Sequence, residues 1–563
     1  EYWPVSTASV DDILDELGIL LTSGRLGDKN RALIKSIVQP EYDSGNVAKA
    51  VRMAQQLIFS TPEFHSTSVN RNLNDVRELT GYEEPPAAPY RAVVVFMMIG
   101  GAGSFNLLVP TGGCASGDQY QEYVAARGPT HSLPMANLTQ FSAASSDQDC
   151  DTFGVNKEFN ILAHLYDNNE AIFFANTGIL AKKITKHDDW YDETPIQLFA
   201  HNTMVHEYYR GDPYQVNANT GVFGRILDKL KLLGYHTSAN GAGAGSMMLT
   251  GDQQYNNPVS GVSTKAPSPL NEDPTIENIY EVVKQLNGVG EANNAVMSET
   301  WSSRVATALF EHEQMHEIAS MPEFNVDSYG DGDGGGGTSG RFQAVIEFMK
   351  SRNYRKVNRE VYVVKQDGYD HHGGNNVNDK FRTANNALDD FITALKEENL
   401  WESTTIVMGS DFGRSMGANS NGGSDHAWGG NYLMVGGSVK GGQILGRYPQ
   451  PMSPENDYWI RGGRFIPTSP WEAVWNGIAQ WMGVLNEDDL DWALPNRASF
   501  NKCGDLFSDM DLFVNGVCTC AECPDLTWAP TPPPTTVQPT PAPTPEPTPA
   551  PTPAPMSNPT GEP

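Results

Sequence analysis

The chain lacks any long hydrophobic run, and no stretch approaches the roughly 20 apolar residues that a membrane-spanning helix needs. Basic residues are also scarce, because 38 Lys and Arg stand against 68 Asp and Glu and leave a formal net charge of −30. A surface this acidic repels nucleic acid and anionic lipid. The sequence therefore predicts neither a membrane span nor a nucleic-acid partner.

Cysteine is sparse, with six residues in the whole chain: Cys114, Cys150, Cys503, Cys518, Cys520 and Cys523. The even number favours disulfides, which form in secreted proteins. The last three have a Cys-x-Cys-x-x-Cys spacing that zinc could alternatively use, but no histidine lies nearby. We therefore predict disulfides and a secreted or extracellular location, including association with a cell wall or matrix.

Composition and hydrophobic periodicity divide the 563 residues into segments. Ser9 can cap a first helix whose apolar face includes Ile13, Leu17 and Leu20. Near the end, Pro recurs every second or third residue, which favours an extended polyproline II stalk suited to O-glycosylation, or a passive tail. Neither an initiating Met nor a signal peptide is present, so we expect a processed piece or a fragment. We predict a helical segment (1–66), a linker (67–89), an α/β domain (90–495), a Cys-containing extension (496–528) and a disordered Pro/Thr-rich stalk (529–563).

Strands alternate with helices inside the long central segment. The run Ala92–Met98 is continuously apolar, as in strands that are buried on both faces. Strand Glu360–Val364 leads into a polar loop, then a helix through Leu388, then strand Thr405–Met408. This order predicts an α/β fold with a mostly parallel central sheet and helices on both faces.

Three other features allow more than one interpretation. The acidic stretch Asp327–Gly340 has an Asp-x-Asp spacing but lacks the later Glu of an EF-hand, so we predict a flexible loop rather than a calcium site. Trp471, Trp475 and Trp481 share one helical stripe, which favours a core position over a carbohydrate-binding platform. Asn137-Leu138-Thr139 is the one N-glycosylation sequon of the chain.

Acidic residues and histidines follow two of the predicted strands. Asp370 and His372 come after the first strand, and Asp411, Arg414, Asp425 and His426 come after the next. Carboxylate oxygens and neutral imidazole nitrogens are ligands of divalent metals, and parallel strands bring such loops to one edge of a sheet. Each residue alone is more simply a helix cap or a surface group. Together they predict a metal-binding cleft.

Four stretches resemble a sulfatase-like family called domain of unknown function 1501. They are RAVVVFMMIGGAGSFNLLVP, PIQLFAHNTMVHEYYRG with the later GVFGR, VVKQDGYDHHGG, and TTIVMGSDFGRSMGANSNGGSDHAWGGNYLMVGG, and the likeness covers about residues 90–485. The family is placed in the alkaline phosphatase superfamily, whose members hydrolyse phosphate or sulfate esters with one or two divalent metals. The resemblance implies that Asp370, His372 and His426 bind a first metal and that Asp411 binds a second. Separately, the first 66 residues resemble the carboxyl end of domain of unknown function 1800, as a remnant of a neighbouring domain.

The departures from the family pattern concern the catalytic positions. Gly103 stands where relatives carry an acidic metal ligand, and Ala200 stands where many carry a serine. Thr203 replaces an aspartate and is the alternative nucleophile, although neighbouring residues of an element point in different directions. Ser104 is a further candidate. Arg414 suits either the clamping of an anion or an ion pair with an acid.

These observations together predict a sulfatase-like cleft that binds a divalent metal or an anion, with ester hydrolysis weakened or lost. The ion is zinc, calcium or manganese, and one ion is favoured over two. The partner is a small anionic ester or a component of an extracellular matrix or wall. His201 and His206 either join the site or are structural. The alternative is a structural or adhesive protein that uses the fold as a scaffold, and carbohydrate or polyanion binding through the tryptophans is a third interpretation.

Overall fold

The computed structural model describes residues 2–66, 88–215, 217–242, 246–252, 257–259, 279–288, 298–306, 308–309, 337–374 and 377–523. Three predicted segments lie wholly or mostly outside these ranges: the linker up to residue 87, the acidic stretch up to residue 336, and the Pro/Thr-rich stalk. No helix of the described ranges is long and apolar enough to cross a membrane.

Helices account for much of the described chain. Their bounds are α1 (Val10–Thr22), α2 (Asp28–Asp43), α3 (Val47–Phe59), α4 (Pro62–His65), α5 (Gln119–His131), α6 (Ile161–Asp167), α7 (His201–Arg210), α8 (Val222–Leu232), α9 (Ile279–Leu286), α10 (Gly337–Lys350), α11 (Val377–Glu397), α12 (Trp471–Met482), α13 (Glu487–Ala493) and α14 (Asp509–Leu512). Ser9 caps α1 as predicted, because its side chain accepts a hydrogen bond from the Asp12 amide. Leu20 is exposed, contrary to the prediction, since the buried stripe of α1 runs through Ile13, Leu14 and Leu17.

The strands form one large sheet and two small ones. Their bounds are β1 (Arg91–Met98), β2 (Leu108–Cys114), β3 (Leu138–Ser142), β4 (Cys150–Asn156), β5 (Ala171–Gly178), β6 (Thr237–Ala242), β7 (Asn257–Val259), β8 (Arg359–Gln366), β9 (Thr404–Ser410), β10 (Gly430–Gly436), β11 (Gln443–Gly446), β12 (Trp459–Ile460), β13 (Arg464–Phe465) and β14 (Ser469–Pro470). The large sheet has the order β11-β5-β10-β9-β1-β8-β6-β7, and β14 also pairs with β5. Among the described strands of this sheet, only β10 runs antiparallel to its neighbours, β5 and β9.

Helices cover both faces of this sheet. The Phe96 side chain of β1 packs on Phe342 of α10, with ring centroids 5.2 Å apart. Successive side chains of a strand point to opposite faces, so Met97, the residue after Phe96, faces the other side of the sheet. Gly409 of β9 is the register partner of Met97 and shares that face. Tyr208 of α7 packs directly over Gly409. The predicted α/β fold, with a mostly parallel sheet between helices, is therefore confirmed.

The N-terminal helices have their own apolar cluster. It contains Leu17, Ile34 and Leu57, and it also takes in Val282 and Leu286 of α9. The core of the first 66 residues is therefore completed by a helix that comes much later in the chain.

All six cysteines are paired in disulfides. Cys114 and Cys150 join β2 to β4, while Cys503–Cys520 and Cys518–Cys523 lie in the C-terminal extension. Disulfides, rather than a zinc cluster, are thus confirmed for the late cysteines. Trp471, Trp475 and Trp481 are buried in the core, so the interpretation of these tryptophans as a carbohydrate platform is wrong.

Candidate metal centre

Three chain segments meet at the carboxyl ends of β8 and β9. Asp370 and His372 follow β8, and the loop after β9 carries Asp411 and, later, His426. The parallel strand β1 lies between β8 and β9, so all three strands end at the same edge of the sheet. His201 enters from the first turn of α7. This is the edge at which ligands bind in sheets of this type.

Three imidazole rings converge on one carboxylate oxygen, Oδ1 of Asp370. The distances to this atom are 3.1 Å from Nε2 of His372, 3.3 Å from Nε2 of His426 and 3.4 Å from Nε2 of His201. The Nε2 atoms of His372 and His426 are 2.7 Å apart. Ligand atoms of His201, Asp370 and His426 all lie within 4.8 Å of one another.

In two of the three rings, those of His201 and His426, the other nitrogen faces an oxygen acceptor. His201 Nδ1 is 2.8 Å from Oδ2 of Asp411, and His426 Nδ1 is 2.7 Å from the carbonyl oxygen of Phe199. An Nδ1–H that donates to an oxygen leaves the lone pair on Nε2, which is the arrangement of metal-binding histidines. Nε2 of His201 is buried and has no hydrogen-bond partner in the described residues. A ligand position for a cation would satisfy this atom.

Asp425 lies on the outer side of the cluster. Its Oδ1 is 3.7 Å from Nδ1 of His372 and accepts a hydrogen bond from Asn419 at 3.0 Å. Its backbone N–H donates to the Ser415 hydroxyl. About half of the Asp425 side chain is exposed. At this distance Asp425 makes no hydrogen bond to His372, and its carboxylate does not converge with the three Nε2 atoms.

Arg414 is committed to the protein and is not free to clamp an anion. Its Nε donates to the carbonyl of Gly101 at 2.8 Å, and its Nη1 donates to that of Ser424 at 2.7 Å. Its Nη2 donates to the carbonyl of Gly100 and to Oδ1 of Asp370. The side chain is 1% exposed. Of the two roles that the sequence left open, the structure shows the ion pair.

Charge in the cluster follows from these contacts. Burial raises the pKa of Asp370, but the hydrogen bond and positive charge of Arg414 outweigh it and lower that pKa to about 2. The hydrogen bond to Asp411 raises the pKa of His201. Burial lowers the pKa of His426. At neutral pH, Asp370 is therefore an anion and His426 is uncharged, which are the forms that bind a metal.

Asp411 and Phe412 leave little room for a second ion. Both oxygens of Asp411 are occupied, one by His201 and the other by the backbone N–H of Gly100 at 3.2 Å. The Phe412 ring lies 4.7 Å from the rings of both His201 and His426 and packs against Gly101. Asp411 thus supports His201, whereas the family resemblance implied a second metal ligand.

The candidate nucleophiles are turned to other partners. The Thr203 hydroxyl donates to the carbonyl of Gln197 at 2.6 Å and to that of Ala200 at 3.2 Å. Ser104 is fully buried, and its hydroxyl accepts from the backbone N–H of Asn431. His206 is exposed on α7. The structure therefore brings together Asp370, His372 and His426 and places Asp411, Asp425 and Arg414 around them. The Thr203 hydroxyl is directed away from this cluster.

Sequence reasoning gave too little weight to two residues. The sequence allows two roles for His201, in the site or structural, and the structure places its ring in the cluster, 4.3 Å from the ring of His426. Phe199 contributes a backbone carbonyl, which no side-chain pattern can reveal. The available signal was position, because His201 directly follows the Ala200 that stands in the place of a serine.

This structure defines a candidate metal-binding protein of the α/β class. Its site contains three histidines, two buried or half-buried acids and an arginine. The sequence matches the family model described as "Protein of unknown function (DUF1501)" over residues 243–454. This match supports the resemblance for that range, which includes Asp370, Asp411 and His426. Gly103 and Ala200 lie outside it, so their correspondence to family residues stays a prediction. The same holds for the likeness of the first 66 residues to domain of unknown function 1800.

Several solved structures are similar at low identity. The lipoteichoic acid synthase LtaP from Listeria monocytogenes is 9% identical, with 74% of this chain and 78% of that chain covered and a TM-score of 0.29. A protein in the alkaline phosphatase superfamily from Vibrio parahaemolyticus is 12% identical over 67% and 69%, with a TM-score of 0.26. The PsFucS1 sulfatase from Pseudoalteromonas sp. is 12% identical over 63% and 64%, with a TM-score of 0.24. These scores are too low to carry an argument about chemistry. No curated protein matches the chain.

Proposed function

We propose that this chain is a secreted sulfatase-like protein whose cleft binds one divalent cation and, through it, a small phosphate or sulfate ester, with hydrolysis weakened or lost. The observation that carries the proposal is the convergence of three imidazole Nε2 atoms on Oδ1 of Asp370. Imidazole nitrogens and a carboxylate oxygen that meet at one point are a ligand set for a divalent cation.

Zinc fits these donors best among the three predicted ions. Calcium takes six to eight oxygen ligands, whereas zinc takes imidazole nitrogen and carboxylate oxygen in a tetrahedron. Zinc–ligand distances of about 2.0–2.1 Å place tetrahedral ligands about 3.3–3.4 Å apart. Asp370 Oδ1 lies 3.3 Å from His426 Nε2 and 3.4 Å from His201 Nε2. The spacing of Asp370, His201 and His426 therefore matches two edges of a zinc tetrahedron, whereas the 2.7 Å between the Nε2 atoms of His372 and His426 is shorter than such an edge.

The surrounding residues hold these donors in place. Arg414 fixes the Asp370 carboxylate, Asp411 fixes the tautomer of His201, and the Phe199 carbonyl fixes that of His426. When bound, a divalent cation polarises an ester oxygen and lowers the pKa of a coordinated water. About half of the Asp370 and His372 side chains remains exposed, which leaves an open side for a small anion.

The hydroxyl groups of the cleft argue for weak hydrolysis. Enzymes that split esters through a covalent step place a hydroxyl beside the reacting centre. Here Ala200 has none, Thr203 donates to backbone carbonyls and Ser104 is buried. Water is the remaining attacking group. The absence of a directed hydroxyl among these residues also supports the second candidate function, a non-catalytic extracellular scaffold. That function requires that the protein turns over no ester at all.

Metal binding is tested first, with the purified protein, by elemental analysis and titration calorimetry with zinc. We expect close to one zinc per chain. Asp370→Asn, His201→Gln and His426→Gln should each weaken zinc binding by about 100-fold or more, because each removes a direct ligand and even outer-shell changes cost about 10–100-fold. His206→Gln is the matched control, since His206 is exposed on the same helix as His201. Wild-type affinity in the His426→Gln variant would refute the proposed centre.

Hydrolysis is tested next with an aryl phosphate and an aryl sulfate. We expect slow turnover that a chelator abolishes and that Thr203→Val leaves unchanged, because the Thr203 hydroxyl is not directed at the cluster. Zinc binding without any turnover would favour the scaffold function. A loss of turnover in Thr203→Val with intact zinc binding would contradict the assignment of water as the attacking group.

A further inference from the structure

The sequon Asn137-Leu138-Thr139 has no part in the proposed function, and its place in the fold is a surface turn. Asn137 ends a single 3₁₀ turn, Met135–Asn137, directly before β3. Its backbone N–H donates to the carbonyl of Pro134 at 2.8 Å, which closes the turn. The Asn137 side chain is exposed, whereas Leu138 beside it is buried. The Asn137 side-chain amide is thus on the surface, and the burial of Leu138 fixes its position.

The strand that follows lies at the edge of its sheet. The small sheet has the order β2-β4-β3, so β3 pairs with β4 on one side and forms the border on the other. Edge strands can pair with strands of other molecules, and proteins protect them with charge, bulges or covering groups. A bulky solvated group on Asn137, the residue before β3, would hinder the approach of another strand to this edge.

The same sheet carries a mark of an oxidising compartment. Cys114 of β2 and Cys150 of β4 are register partners and are joined by a disulfide. Disulfides persist in secretory and extracellular environments, and N-linked glycans are attached to Asn-x-Ser/Thr in secreted proteins. Both modifications therefore require the same route through the cell.

We propose that Asn137 carries an N-linked glycan that shields the β3 edge. The Nδ2 atom of Asn137 forms a bond to the anomeric carbon of an oligosaccharide. The bond from that carbon to the diphosphate of a lipid-linked oligosaccharide donor breaks, the lipid diphosphate leaves, and the amide loses one proton. The inference rests on the secretion proposed above and is independent of the metal centre.

The test uses the full chain secreted from eukaryotic cells. Treatment with a peptide-N-glycosidase in heavy-oxygen water converts a glycosylated asparagine to a labelled aspartate, and mass spectrometry of the peptide that spans residues 135–142 reads the label. Peptide mapping separates this site from any O-glycans on the Pro/Thr-rich segment. We expect the label at Asn137, complete loss of it in Asn137→Gln and Thr139→Ala, and its retention in Thr139→Ser, which keeps the sequon.

An unmodified Asn137 peptide in the secreted wild-type chain would overturn the proposal. Secretion is read separately, from recovery of the chain in the medium and from the resistance of Cys114 and Cys150 to alkylation. Zinc titration of Asn137→Gln should match the wild type, and Asp370→Asn should keep the glycan. The two proposals can therefore fail separately.

Discussion

Arg414 links the backbone of two loops to one reactive carboxylate. Its guanidinium donates to the carbonyls of Gly100, Gly101 and Ser424 and to Asp370 in a single planar fork. A lysine has a point charge and cannot reproduce such a fork. The side chain therefore holds the loop after β1 and the loop that contains Ser424 around Asp370. This arrangement explains why Arg414 belongs to the site although its four hydrogen bonds all go to other residues of the chain.

Gly101 allows the Phe412 ring to lie against His201 and His426. We predict that Gly101→Ala displaces this ring and disturbs the two histidines. Gly101 has φ of +75°, and a Cβ there would collide with the Phe412 ring. Backbone strain and a displaced ring should cost about 1–3 kcal/mol of unfolding free energy, measured in urea. Zinc affinity should fall as well, because the ring packs on His201 and His426.

Gly103→Ala is the control for this prediction. Gly103 has φ of −71°, and a Cβ there would meet nothing closer than a Val377 methyl at 3.9 Å. We expect a change in unfolding free energy within about 0.5 kcal/mol. Equal effects of the two substitutions would show that Phe412 does not depend on Gly101.

At the scale of elements, α7 carries His201 in its first turn but lacks a side-chain cap. Ala200 is the N-cap residue and makes no capping hydrogen bond. A serine at an N-cap accepts from the free backbone N–H groups of the first turn and stabilises a helix by about 1 kcal/mol relative to alanine. We predict that Ala200→Ser raises the unfolding free energy by about that amount, measured in urea, and increases aryl ester turnover, since it adds a hydroxyl beside His201.

Ala200→Gly separates the two effects. Glycine at an N-cap is only a few tenths of a kcal/mol worse than serine, yet it has no hydroxyl. We therefore expect most of the gain in stability without the gain in turnover. The capping argument is wrong if neither variant is more stable than the wild type.

The elements themselves were largely predictable. The apolar run from Ala92 is strand β1, which begins one residue earlier, and the strand predicted at Glu360–Val364 extends over Arg359–Gln366. Continuous burial on both faces leaves a strong pattern in the sequence. The alternation of β8, α11 and β9 also indicated correctly that the acidic loops share an edge. Element ends were less certain, because hydrogen bonding rather than hydrophobicity sets them.

At the scale of the whole molecule, α7 and α12 pack around two buried acids outside the metal centre. Burial raises the pKa of Glu207 and of Glu472 to about 7, from an ordinary value of 4.5. Glu207 pairs with Arg210 at 2.6 Å, and Glu472 accepts a hydrogen bond from Asn496. Each acid therefore binds a proton more tightly in the folded chain than in the unfolded chain.

This difference predicts a fold that becomes less stable as pH rises. Protons bound preferentially by the folded state stabilise it fully below about pH 4.5, and this contribution is lost as pH rises through about 7. One pKa unit corresponds to about 1.4 kcal/mol, so each acid contributes at most on the order of 3 kcal/mol. Urea unfolding at pH 5 and pH 8 measures the loss.

Glu472→Gln isolates the share of one acid, because its oxygen can still accept from Asn496. Other groups contribute to the pH dependence of both proteins, so the comparison is between the variant and the wild type. We expect a smaller fall in unfolding free energy from pH 5 to pH 8 in the variant. Identical pH dependence in both proteins would show that Glu472 is ionised in the folded state throughout this range.

The sequence by itself determined the α/β class, the paired cysteines, and the loops that carry Asp370, His372, Asp411 and His426. These properties depend on local patterns: apolar runs, even cysteine counts, and polar residues at strand ends. Only the tertiary structure decided that His201 joins the cluster, that Arg414 and Asp411 support it, and that the Thr203 hydroxyl turns away. His201 and Asp411 are 210 positions apart, and hydrogen bonds over such separations depend on how helices dock on the sheet, which no local pattern specifies.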